Sequence, residues 1–198
     1  MLKEIHEQPA AITATVSPRV EDGMPDLRIP ELSDEKLRSI KNIHLVACGT
    51  AMHAGMVGKA AIEALARVPA QVEIASEFRY RNPILRPEDL VIIISQSGET
   101  SDTLAALKLA KSRGVPVLAI VNVVGSSIAR AADYVMYTYA GPEIAVAPPR
   151  PTWCRCACST CSPCGWLTPG ECRPMRDPPP DGRAAPGRGG HQAPPGRL

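Results

Sequence analysis

The stretch Val91-Ile92-Ile93-Ile94-Ser95-Gln96-Ser97-Gly98-Glu99-Thr100 decides the fold of this chain. Its four consecutive β-branched residues predict a strand that is buried on both faces, as in a parallel sheet. A short polar loop follows, and the spacing of Leu104 and Leu107 predicts a helix directly after it. The start of that helix would offer unpaired N–H groups beside several hydroxyls, and Gly98 lets the backbone come close. The stretch therefore predicts a phosphate-type anion site that needs no lysine.

A second unit of the same kind lies earlier in the chain. Residues 43–46 predict a short strand that ends at Ala47-Cys48-Gly49-Thr50-Ala51, and a helix of small residues is predicted from about 53 to 67. Thr50 and the neighbouring N–H groups form a second candidate anion cradle. Serine and threonine at helix starts also serve as plain N-caps, so the chemistry alone leaves the capping interpretation open at both loops.

The alternation of strands and helices predicts the architecture. Strands are expected at residues 43–46, 72–75, 91–94, 116–121 and 134–138, with helices or helix-starting loops between them. Such a chain forms an α/β three-layer sandwich with a five-stranded parallel sheet, in which ligands bind beyond the carboxyl ends of the strands. Between the second and third strands, residues 76–80 are expected to lead into a loop, with Phe78 as a core anchor. Ser33 is predicted to cap a helix over residues 34–40.

The charge and composition divide the chain near residue 147. The net charge of +2 combines a balance of −2 over residues 1–147 with one of +4 over residues 148–198. The last 51 residues contain 12 Pro, 7 Gly and 6 Cys but no Val, Ile or Lys, whereas the first 147 contain 28 Val plus Ile. Because so little aliphatic surface cannot offset the entropy of ordering, we expect this tail to be disordered. We therefore divide the chain into a helical segment and linker broken at Pro9 (1–30), one domain (31–147) and the tail (148–198).

Several classes of function are not expected. The sequence contains no run of about 18 apolar residues, so no membrane span is predicted. The first residues lack the apolar core of a signal peptide, and we therefore expect a cytoplasmic protein. Nothing resembles a basic recognition helix for nucleic acid. Cys48 is interpreted as a packing residue, and neither His44 nor His53 has a partner at metal-ligand spacing. The tail cysteines suggest a zinc module, but they crowd within eleven positions, so we expect no metal and no cofactor.

Five strings of this sequence carry a resemblance to a known family. ACGTA, ASEFRYR, IIISQSGETSDT, NVVGSSIARAAD and AGPEIAVA are similar, in order and spacing, to the first SIS (sugar isomerase) domain of the glucosamine-6-phosphate synthases, the isomerising glutamine:fructose-6-phosphate aminotransferases. The opening MLKEIHEQP resembles the segment that precedes that domain. The resemblance implies an SIS-like sandwich from a longer enzyme of amino-sugar biosynthesis, which binds fructose 6-phosphate or glucosamine 6-phosphate.

The resemblance also implies which residues contact the phosphosugar. By position they are Thr50, Ala51, Ser95, Gln96, Ser97, Thr100 and Val146. The family often has Ser where this chain has Ala51, so one hydroxyl contact is missing. After Ala147 the family continues with Ser-Thr-Lys, whereas this chain continues Pro148-Pro149-Arg150. We interpret the tail as the product of a reading-frame shift.

No catalytic residue is assigned. The family's acid/base, ring-opening and Schiff-base residues lie in parts that this chain does not match, so we expect binding without activity of the chain alone. For Glu99 we expect a role in the first turn of the following helix. The alternative is a stand-alone phosphosugar-binding regulatory SIS protein. The resemblance further implies self-association through this domain.

Overall fold

The centre of the fold is a five-stranded parallel sheet covered by helices on both faces, as the sequence predicts. The computed structural model describes residues 2–21 and 24–141. The helices are α1 Leu2–His6, α2 Gln8–Val16, α3 Asp34–Ser39, α4 Thr50–Ala61, α5 Ala75–Tyr80, α6 Ser101–Ser112 and α7 Ser127–Ala131. The strands are β1 Val20–Glu21, β2 Met24–Pro25, β3 Asn42–Ala47, β4 Ala70–Ile74, β5 Asp89–Ser95, β6 Val117–Val121 and β7 Tyr134–Tyr137. A 3₁₀ turn, Ser17–Arg19, follows α2, and a π-helical turn, Ile62–Ala66, extends α4.

The order of the strands creates a crevice at one end of the sheet. The order is β4-β3-β5-β6-β7, and every neighbouring pair runs parallel. After β3 the chain moves outward to β4 and then returns to the other side of β3 as β5. The carboxyl ends of β3 and β5 therefore lie side by side, with Ala47 paired to Ile94. Loops that leave such a pair diverge to opposite faces, which opens space for a ligand.

Alternating residues of the strands form the two layers of the core. On one face, Leu45 and Ile92 pack with Leu37 of α3 and Ile62 at the end of α4. On the other face, residues such as Ile93 pack against helices α5, α6 and α7. All seven residues of β5 are buried. A strand with apolar side chains on both faces requires helices on both faces, because either exposed face would leave large apolar area in water.

Several element boundaries differ from the sequence prediction. Residues 75–80 form helix α5 rather than leading directly into a loop. The sequence did not predict this helix, because six residues are too few to show helical periodicity. Helix α2 begins before Pro9, which lies in its first turn, where the missing N–H costs nothing. Helix α4 begins at Thr50 rather than near residue 53. Two predictions are confirmed: Phe78 is fully buried, and the Ser33 hydroxyl accepts a hydrogen bond from the Lys36 N–H at 3.3 Å.

The N-terminal segment contacts the chain at the carboxyl end of the edge strand β7. The Thr15 hydroxyl donates to the carbonyl of Thr138, and buried Arg19 donates through Nη2 to the carbonyl of Tyr137 at 2.7 Å. These bonds join residues 2–21 to the chain just beyond β7. Among the described residues no helix is long and apolar enough to cross a membrane. The predicted disordered tail, 148–198, lies outside the described residues.

Candidate functional site

A cavity of about 140 Å³ opens at the carboxyl ends of β3 and β5. The loop after β3 supplies one side, and residues 95–100, the last residue of β5 and the loop after it, supply the other. We call the latter the β5–α6 loop. Within the described part of the chain, the wall consists mainly of small polar side chains, together with Ala51 and Ile94. The lining residues are Cys48, Thr50, Ala51, Ile94, Ser95, Gln96, Ser97, Thr100 and Thr103.

Two helices begin at this cavity. Helix α4 starts at Thr50 after Gly49, whose φ of +56° lies in the region that glycine adopts most readily. Helix α6 starts at Ser101, one residue after Thr100 of the wall. Each helix runs for twelve residues, so its first turn carries the positive end of a full macrodipole. Two such ends at one cavity favour an anionic ligand.

Hydrogen bonds within the β5–α6 loop determine whether its hydroxyls accept or donate hydrogen bonds. The Ser95 Oγ accepts from the Gly98 N–H at 3.1 Å, and the Ser97 Oγ accepts from the Glu99 N–H at 3.2 Å. A hydroxyl that accepts through one lone pair still carries a hydrogen to donate. The Thr100 Oγ1 lies 3.5 Å from the Ser95 Oγ, so these two hydroxyls face the same small space. The loop can therefore donate several hydrogen bonds to one anion.

The capping interpretation that the sequence left open does not apply to Thr100. Thr100 occupies the N-cap position of α6, yet within the described residues its side chain makes no capping hydrogen bond. In contrast, Ser33 caps α3, and the Ser126 Oγ accepts from the Ala129 N–H at 3.4 Å to cap α7. The serines away from the cavity thus cap their helices in the usual way. The threonine at the cavity leaves the first turn of its helix open to a ligand.

The residues predicted from the sequence lie together wherever the structure describes them. Six of the seven line the cavity, namely Thr50, Ala51, Ser95, Gln96, Ser97 and Thr100, whereas Val146 lies outside the described residues. Sequence reasoning missed Thr103, whose Oγ1 donates to the Thr100 carbonyl at 2.8 Å. Its position one helical turn after Thr100 was the available signal. Cys48 packs against the core, as predicted, and in addition forms part of the cavity wall.

Glu99 has a different role from the one predicted. It precedes the first turn of α6 and is exposed, and its Oε1 accepts from the N–H of Ser127 at 2.7 Å, at the start of α7. The Ser127 hydroxyl, the Ser127 N–H and, more weakly, the positive charge of Arg130 lower the pKa of this carboxyl. The Glu99 carboxylate therefore accepts from the start of α7, the helix after β6, because the sheet brings α7 beside the β5–α6 loop.

His44 belongs to a buried cluster away from the cavity wall. Its Nε2 lies 3.8 Å from the Asp89 Oδ2, and its Nδ1 lies 3.9 Å from the Glu73 Oε1. Arg81 pairs with the same Glu73 oxygen, and the Asp89 carboxylate also accepts from the Arg86 N–H at 2.8 Å. Within the described residues no group of three or more potential ligands is placed to hold a metal ion. We interpret the cluster as structural.

Comparison with known proteins identifies the family to which the domain belongs. The family model described as SIS domain matches residues 36–150. Isomerising glutamine–fructose-6-phosphate aminotransferases from Clostridium tetani and Caldanaerobacter subterraneus are 59% identical over 149 residues and 60% identical over 148 residues. Each match covers 74% of this chain, which spans only 24% of either relative. The C-terminal domain of glucosamine-fructose-6-phosphate aminotransferase from Francisella tularensis superposes with a TM-score of 0.78 at 41% identity, covering 82% of this chain and 46% of that one. The chain therefore belongs to the SIS domain family, as its sequence motifs indicate.

Proposed function

We propose that this chain binds a phosphosugar, fructose 6-phosphate or glucosamine 6-phosphate, in the cavity between the β3 and β5 loops. The observation that carries the proposal is the convergence of six motif residues on one cavity at the strand-order reversal. Two helix N-termini and the hydroxyls of Ser95, Ser97 and Thr100 suit a phosphate group. Gln96 adds an amide that can reach a sugar hydroxyl.

The proposal concerns binding rather than catalysis by this chain alone. Isomerisation of a phosphosugar needs a base that moves a proton between adjacent carbons. The hydroxyl, amide and thiol groups of the described wall are suited to holding and orienting a ligand. We further propose that the domain belongs to an isomerising aminotransferase of amino-sugar biosynthesis in the cytoplasm. The support is the identity to such enzymes, of which this chain spans about a quarter.

Replacing Ser97 by alanine is expected to weaken phosphosugar binding about tenfold or more. The Ser97 hydroxyl lines the cavity, and a hydrogen bond to a charged ligand is worth roughly 1.5–3 kcal/mol. Isothermal titration calorimetry with fructose 6-phosphate measures the change, and inorganic phosphate as a competitor reports on the phosphate subsite alone.

Ser101→Ala is the matched control for this experiment. Ser101 is a serine of the same motif, but it is exposed and does not belong to the described cavity wall. We expect the affinity of Ser101→Ala for fructose 6-phosphate to stay within about twofold of wild type, since surface substitutions usually have small effects. Wild-type protein without measurable binding at millimolar ligand would refute the proposed function. Equal affinities of wild type and Ser97→Ala for fructose 6-phosphate would show that the ligand binds elsewhere.

A further inference from the structure

Three hydrogen bonds connect the β5–α6 loop to the loop after β6 and to the first two residues of α7. The Asn122 N–H donates to the Gln96 carbonyl at 3.1 Å, and the Ile128 N–H donates to the Gly98 carbonyl at 3.0 Å. The third bond, from the Ser127 N–H to the Glu99 carboxylate at 2.7 Å, is the shortest of the three. It is also the one in which the loop contributes a side chain.

The charge of Glu99 is unexpected beside an anion site. A carboxylate one residue before Thr100 of the cavity wall would repel a phosphate bound there. The local structure nevertheless holds Glu99 in its ionised form, because the Ser127 N–H and hydroxyl stabilise the charge and lower the pKa. The positive charge of Arg130 lowers this pKa further, and the Arg130 Nη2 donates to the Ser127 Oγ at 3.3 Å.

We propose that Glu99 is a positioning residue for phosphosugar binding. Through its bond to Ser127, its side chain holds the β5–α6 loop in the shape that presents the Ser97 and Thr100 hydroxyls to the cavity. Since the Ser97 Oγ itself accepts from the Glu99 N–H at 3.2 Å, a shift of Glu99 displaces the hydroxyl directly. This inference rests on the proposed function.

Two variants of Glu99 separate positioning from simple repulsion. Glu99→Gln keeps an oxygen that accepts from Ser127 but removes the charge, whereas Glu99→Ala removes both. If Glu99 positions the loop, Glu99→Ala should bind fructose 6-phosphate at least fivefold more weakly than wild type, and Glu99→Gln should stay within about twofold. If Glu99 acts only through its charge, both variants should bind more tightly, which would overturn the proposal. Unchanged affinity in both variants would overturn it as well.

A measurement without ligand tests the positioning role separately. Hydrogen exchange at the Ser127 amide should be at least fivefold faster in Glu99→Ala than in wild type, because the carboxylate that accepts from this N–H is gone. Exchange at the same rate in both proteins would overturn the positioning role. If exchange accelerates but wild type binds no phosphosugar, the proposed function has failed, and the proposal that the loop is positioned for this ligand fails with it.

The pH dependence of the Ser127 amide gives a spectroscopic signature of its bond to Glu99. Because the folded protein lowers the pKa of Glu99 below the ordinary carboxyl value of 4.5, the Ser127 N–H donates to a charged carboxylate above pH 4.5, and the bond weakens to one with an uncharged acceptor as pH falls through the folded pKa. The Ser127 amide resonance of the wild type should titrate with a midpoint below 4.5. In Glu99→Gln the same resonance should not titrate. A wild-type midpoint at or above 4.5 would contradict this bond.

Discussion

Gly98→Ala is expected to abolish measurable phosphosugar binding and to lower the free energy of unfolding by about 3 kcal/mol. Gly98 has a φ of +67°, and a Cβ built on it would lie 2.1 Å from the Ser126 Oγ and 2.5 Å from the Ser126 Cβ. Ser126 is buried and caps α7, so it cannot move without disturbing that helix. The β5–α6 loop must therefore separate from α7. Calorimetry with fructose 6-phosphate and urea unfolding measure the two effects.

Gly114→Ala is the matched control, because it isolates backbone strain from collision. Gly114 has a similar φ of +72°, but no atom of the described residues would lie within 4 Å of its Cβ. We expect a loss of about 1–2 kcal/mol from the left-handed conformation and unchanged phosphosugar affinity. Adding Ser126→Gly to Gly98→Ala should restore part of the binding, since it removes the colliding atoms. Equal losses in the Gly98 and Gly114 variants would show that the contact with Ser126 is unimportant.

Phe78→Ala is expected to lower the free energy of unfolding by about 3–5 kcal/mol. The Phe78 side chain is fully buried beneath α5 and packs in the cluster that includes Val46, Val91 and Leu107. Its removal leaves a cavity that the strands cannot fill, because the sheet is held by parallel pairing on both sides. With a total stability of roughly 5–15 kcal/mol, this loss is a large part of the whole. Urea unfolding followed by circular dichroism measures it.

Tyr80→Ala provides the comparison within the same helix. Tyr80 is an aromatic residue of α5 that is 77% exposed, so its removal should change stability by about 0.5 kcal/mol or less. A similar loss in both variants would mean that α5 tolerates no substitution, and the interpretation of Phe78 as a core anchor would fail. A loss below 1 kcal/mol in Phe78→Ala would have the same consequence.

Local sequence patterns predicted the parts of the fold that depend on neighbouring residues. The run from Val91 to Ile94 is long and apolar enough to predict a strand buried on both faces, and β5 is buried along its whole length. Ser33 followed by two acidic residues predicted the start of α3, and that cap is formed. Helix α5 was missed because its six residues carry too little periodicity. Its buried residues Ala75 and Phe78 are recognisable as a helical face only beside the sheet.

The position of the two loops at the cavity was also predicted, because their residues follow two strands in short motifs. Strand, glycine and hydroxyl in succession predicted both loops that line the cavity. The role of Glu99 was predicted wrongly, since its partner Ser127 is 28 residues away and reaches it only through the pairing of β5 with β6. The burial of His44 between Asp89 and Glu73 likewise depends on both strands that flank β3.

The sequence by itself determined the class of fold, the strands of the sheet and the residue types at its carboxyl ends, because these follow from local hydrophobic patterns and short motifs. Only the tertiary structure decided that β3 and β5 are adjacent and that their two loops share one cavity. It also decided that Ser126 lies against Gly98 and that the Ser127 N–H donates to the Glu99 carboxylate. These contacts join residues far apart in the chain, and their geometry is set by strand pairing rather than by any local preference.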